Sequence, residues 1–181
     1  MPAIFRFRRA TPFLFAALLG LAACTEQHDW RSINAADGSY SVMMPAKPST
    51  VTRPVNVNGK EYSMTMTAAD VQQVTFAVGV IHVPEPGMAA VTMTAMKDAL
   101  LKNIGSVPAN EKIRSTAQVG SISIEVDTVG KASGGARGEP RVLHGRFIAK
   151  GTTVYQVVVA GPENAVIDTV VETFLTSFKA N

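Results

Sequence analysis

A few residues of this chain have side chains from which chemistry could be built. Cys24 is the only cysteine. Its thiolate would be a good nucleophile near neutral pH, and with no second cysteine no disulfide can form within the chain. His28, His82 and His144 are the only histidines, and no two lie three or four residues apart. A metal site needs three or four converging ligands, so no metal site is predicted. In "HVPE", His82 to Glu85, Pro84 and Pro86 impose a turn and not a ligand-bearing helix. His82 alternates with Val74, Phe76, Val78 and Val80, which reads as a buried or strand-end histidine bonded to backbone. Glu125 and Asp127 share one strand face and could divide acid and base roles, although an exposed polar face explains them more simply. No G-x-S-x-G elbow occurs. The stretch "SGGARGEPR", residues 133–141, lacks the Gly-Lys-Ser/Thr ending of a phosphate loop and opens no helix. Its Arg137 and Arg141 carry planar donors that suit a partner's carboxylate. The sequence therefore predicts no catalytic residue and no cofactor, with Arg137 and Arg141 as candidate partner contacts.

The setting of Cys24 gives it another use. Arg6, Arg8 and Arg9 precede an uncharged apolar run from Phe13 to Leu21, and small residues follow. Charge, apolar core and small residues in that order make a secretory signal. The run is about half of the roughly 20 residues a membrane-spanning helix needs. Leu21-Ala22-Ala23-Cys24 resembles the lipobox of bacterial lipoproteins. The resemblance implies that the Cys24 sulfur receives a diacylglyceryl group and that residues 1–23 are removed. The new amino terminus would then be acylated, and the membrane would be held through this lipid. Thr25 stands second in the mature chain where inner-membrane lipoproteins of many bacteria carry Asp, which implies the periplasmic face of the outer membrane. Residues 24–29 form a short lipidated tether. Its polar part, Thr25 to Asp29, reaches only about 17 Å when extended. Residues 30–181 read as one domain.

Charge narrows the partners. The chain has 17 basic and 14 acidic residues, and three of the arginines belong to the signal. The mature part thus carries 14 of each sign. No basic stripe is left to grip nucleic acid, and no polybasic segment to hold anionic lipid.

Strand patterns dominate the domain. Tyr40 to Met44 follows the Asp37-Gly38 turn signal and ends at Pro45. Val51, Val55 and Val57 alternate up to Asn58-Gly59, and Tyr62, Met64, Met66 and Ala68 alternate after it, which predicts a hairpin. Pro54 makes the first arm an edge strand, since proline cannot donate to a ladder. Val74 to Val83 is apolar on both faces, so it belongs inside the sheet with cover on both sides. Over Met88 to Ile104 the period changes: Ala89, Met93, Met96, Leu100 and Ile104 mark an amphipathic helix that Gly105 caps. Its methionines read as core filler. Strands return at Lys112 to Gln118 and Ser121 to Val129. A second hairpin, Arg141 to Ala149 and Thr152 to Ala160, turns at Lys150-Gly151. Gly161-Pro162 is expected to break the last strand. A closing helix is expected from Glu163 to Phe178, with Ile167, Val170, Val171, Phe174 and Phe178 on its apolar face. Hairpins without crossovers predict an α+β fold. Its antiparallel sheet has six to seven strands, with helices packed on both faces.

"DGSYSVMMPAKP", the hairpin at "NVNGKEY", the mid-chain helix and "GTTVYQVVVAG" before a helix ending "FLTSF" resemble the Mog1/PsbP-like domains. The resemblance spans about Trp30 to Phe178. It implies an α/β/α three-layer sandwich that serves binding and assembly, and it carries no catalytic residues. The reading that follows is a non-catalytic lipoprotein domain that binds an envelope protein. The alternatives are a small-ligand carrier with a pocket beside the sheet, and an enzyme of unrecognised type.

Overall fold

The alternation of apolar and polar residues becomes register in the computed structural model, which describes residues 28–106, 111–131 and 140–181. The signal, Cys24 and Arg137 lie outside the described residues.

Among the described residues, ten strands and two helices follow one another as β1 (Arg31–Asn34), β2 (Tyr40–Met44), β3 (Ser49–Val57), β4 (Lys60–Val71), β5 (Val74–His82), α1 (Pro86–Asn103), β6 (Lys112–Gln118), β7 (Ser121–Lys131), β8 (Pro140–Lys150), β9 (Thr153–Pro162), α2 (Asp168–Ser177) and β10 (Lys179–Ala180). A seven-stranded sheet has the order β3-β4-β5-β9-β8-β7-β6, and a three-stranded sheet has the order β1-β2-β10. Each strand pair is antiparallel. The expected antiparallel sheet is therefore present at seven strands. Tyr40 to Met44 does not join it, pairing instead with β1 and β10 in the small sheet.

Turn chemistry works as the residues dictate. Asn58 (φ 52°) and Gly59 (φ 78°) both occupy the left-handed region that a tight hairpin requires. The arm carrying Pro54 is the outermost strand of the large sheet.

The side chains of β5 and β9 divide into two packed groups. Ala77 and Ile81 with Val154 and Val158 pack with Ala89, Met93, Met96 and Leu101 of α1. Phe76, Val78 and Val80 with Tyr155, Val157 and Val159 pack with Val171 and Phe174 of α2 and with Tyr40, Val42 and Met44 of β2. Phe76 and Phe174 meet edge to face at 5.4 Å.

Several boundaries differ from the sequence reading. The strand ending the second hairpin continues through Gly161 and Pro162. Glycine is needed there, because a Cβ on residue 161 would stand 2.9 Å from Val74 Cγ2. Pro162 ends the strand, where its missing N–H costs the ladder little. The closing helix starts at Asp168 and not at Glu163. Residues 162–165 form a turn, with the Ala165 N–H donating to the Pro162 carbonyl, and Ile167 is extended (φ −110°, ψ 116°). Ile167, expected on the buried face, is 43% exposed. Phe178 is buried as expected but lies past the helix in extended backbone, leading into β10. On α1, Leu101 is fully buried and Leu100 only half-buried, the reverse of the predicted stripe.

Candidate functional site

A groove runs between α1 and the tip of the β3–β4 hairpin. Ala90, Val91, Thr94 and Ala95 of α1 face Val57 and Asn58 across about 570 Å³. A smaller hollow of about 230 Å³ continues it past Tyr62 and Met88. Val91 is 62% exposed on its wall. Pro86 opens the helix after a three-residue connection from β5, where a proline gives up no helical hydrogen bond. The groove is apolar and open, with Asp98 and Lys102 at one margin. It suits an apolar side chain of a partner better than an enclosed small molecule.

A second cluster joins both sheets. His82 Nε2 lies 3.3 Å from Asp37 Oδ2, and its Nδ1 lies 3.2 Å from Thr153 Oγ1. His82 is thus a strand-end residue as expected, but its partners are side chains and not backbone. The order carboxylate, imidazole, hydroxyl is that of a hydrolytic relay. Its surroundings are not. The His82 and Asp37 side chains are 59% and 52% exposed, so water screens them. Asp37 also accepts hydrogen bonds from the Ser39 N–H and hydroxyl. These bonds, ahead of the nearby His82, hold its carboxyl below the usual carboxylate range. The cluster fastens the β1–β2 turn to the end of β5. The Asp37-Gly38 turn was legible in sequence, but a contact across 45 residues was not.

Glu125 and Asp127 share one face, as expected, and both are paired. Asp127 Oδ1 lies 2.9 Å from His144 Nδ1. Glu125 accepts from Arg146 Nε at 3.0 Å and lies 3.6 Å from Arg114 Nε. Arg146 also donates to the Leu175 carbonyl at 3.0 Å, near the end of α2. Carboxylates paired in this way tie neighbouring strands together. Arg141 is the second residue of β8 and pairs with Pro162 of β9. Among the described residues no group of three or more His, Cys, Asp or Glu could hold a metal ion, and no helix is long and apolar enough to cross a membrane.

No family model matches the sequence, and no curated protein matches it. A crystal structure from Bacteroides thetaiotaomicron VPI-5482 at 1.50 Å resolution is similar, with a TM-score of 0.47 and 10% identity. The similarity covers 83% of this chain and 48% of that one, so this chain spans about half its length.

Proposed function

We propose that this chain is a lipid-anchored protein of the bacterial cell envelope whose domain binds another envelope protein and catalyses nothing. In this reading Cys24 carries the lipid, and the anchor sits at the periplasmic face of the outer membrane. The domain is a Mog1/PsbP-like three-layer sandwich, with α1 over one face of the large sheet and α2 with the small sheet over the other. Arg137, Arg141 and the α1 groove are its contact surfaces.

The observation that supports binding over carriage is the filled interior. Both packed groups are closed by large side chains such as Phe147, Tyr155 and Phe174. Among the described residues, every fully buried side-chain nitrogen or oxygen has a hydrogen-bond partner. The two hollows beside α1 lie at the surface, whereas a carrier needs a cavity that encloses most of its ligand.

Two measurements test this. Mass spectrometry of the N-terminal peptide from membrane fractions should find Cys24 diacylglycerylated and N-acylated, and Cys24→Ser should release a folded domain from the detergent phase. An unmodified Cys24 in membranes would overturn the anchor. Photo-crosslinkers placed at Val91 and at Arg141 in intact cells should then capture one defined protein. Capture from neither position would reject both contact surfaces.

A further inference from the structure

We propose that β6 is a seam at which two copies of this chain pair, antiparallel about Ser115, to join their sheets. The large sheet has two outer strands, β3 and β6. An outer strand presents unpaired N–H and C=O groups, and proteins commonly blunt it. β3 is blunted, since Pro54 has no N–H. β6, with the sequence KIRSTAQ, has no proline, and all seven of its residues are exposed. Among the described residues it pairs with β7 alone.

The sequence of β6 is complementary to itself. A two-fold axis through Ser115 sets Arg114 opposite Thr116 of the second copy, Ile113 opposite Ala117, and Lys112 opposite Gln118. No like charges face each other. Moving the axis to Arg114 would stack two guanidinium groups, which is unfavourable for directly opposed residues. Moving it to Thr116 would set Ile113 and Lys112 against the turn residues Val119 and Gly120. Only the Ser115 register uses the whole strand.

The faces agree as well. Ile113 pairs with Val126 and Ala117 with Ile122, so these residues point to the side where Val126 joins the α1 group. Ile113 is 48% exposed and Ile122 37%. In the paired form each Ile113 meets the other copy's Ala117, which covers apolar surface that is wet in one copy. The axis stands perpendicular to the sheet, so both small sheets lie on the same side. Trp30 packs with that group, so the two copies present Trp30 on one side, which suits two anchors in one bilayer. That last agreement rests on the lipid reading, whereas the pairing itself does not. A seven-residue strand pair buries less than the roughly 1,200 Å² of a stable interface. The dimer is accordingly weak in dilute solution and favoured where a membrane concentrates the chain.

Full-length chain in membranes tests the seam. Under mild oxidation Ser115→Cys should shift mostly to twice its mass, while Thr52→Cys on the β3 edge stays at background. In the Ser115→Cys chain, adding Thr116→Glu places a carboxylate opposite Arg114 of the other copy and should raise cross-linking. Thr116→Arg should suppress it several-fold, with the melting temperature of either variant unchanged. Equal cross-linking from Ser115→Cys and Thr52→Cys, a product of any mass other than twice the chain, or the same effect from Thr116→Glu and Thr116→Arg would overturn the seam. Repeating the series with Cys24→Ser removes any link through Cys24. If that chain stays on the membrane, the lipid reading fails while the seam is still judged at Ser115.

Discussion

The Tyr155 phenol donates a 2.9 Å hydrogen bond to the Ser39 carbonyl, joining the middle of the large sheet to the turn that starts β2. Tyr155 also meets Tyr40 and Phe178 edge to face. The two sheets are fastened at this point by one buried polar bond within an aromatic cluster.

Tyr155→Phe keeps the ring and removes the bond. It should cost about 1 kcal/mol, or roughly 2–4 °C in melting temperature for a domain of this size. Burial also makes the Tyr155 and Tyr40 phenols harder to ionise than free tyrosine. The contribution of these two groups to folding stability is therefore full below about pH 10, and it is lost as pH rises through the higher folded values. Denaturant midpoints from neutral to alkaline pH should fall less steeply for Tyr155→Phe than for the parent.

Asp37 acts at the other end of the scale. Its carboxylate is favoured in the folded state, chiefly by the Ser39 hydroxyl and N–H. Its contribution is present above about pH 4 and disappears as pH falls through the lowered folded value. Asp37→Ala should melt below the parent at neutral pH, and the two melting curves should converge in acid. A gap that persists in acid would mean that the loss came from packing and not from charge.

Phe174 and Val91 contrast two helix faces. Phe174 is fully buried against Phe76, and Phe174→Ala should cost about 3–5 kcal/mol. Val91 is mostly in water, and Val91→Ala should stay within about 0.5 kcal/mol. Thermal melts of the two variants check both. A small effect at Phe174 would free that face of α2 for a partner.

Residues 132–139 connect β7 and β8, whose pairing holds up to Lys131 and Pro140. Replacing this connection with a tight turn should leave the melting temperature nearly unchanged, because closure entropy varies slowly with length. If Arg137 meets the partner, the same variant should lose the cross-link captured from Arg141.

Features carried by neighbouring residues were legible in the sequence. Both hairpins, the edge position of Pro54 and the span of α1 follow from alternation, turn residues and helical period, each of which acts over a few residues. β1 was missed because "RSIN" shows no alternation, and β10 because two residues carry no pattern. The continuation of β9 through Gly161 involves its close approach to Val74, a contact between strands that local periodicity cannot express. The same limit applies to the site. Asp37, His82 and Thr153 look unrelated along the chain, and only the pairing of β5 with β9 and the β1–β2 turn bring them together. The pairing of Glu125 with Arg146 depends likewise on the register of β7 against β8.

The small sheet has a consequence for the order of events. Its middle strand, β2, is flanked by β1 from the start of the domain and by β10 from its other extreme. The Asn181 side chain closes on the Gly38 carbonyl across 143 residues. A contact between such distant parts of the chain cannot form until nearly all of it is available, and pairings of this kind are slow. A chain threaded through a membrane from its amino end would reach the far side with β2 in place and one flank still missing. The small sheet would stay incomplete through the passage and close only when β10 had crossed.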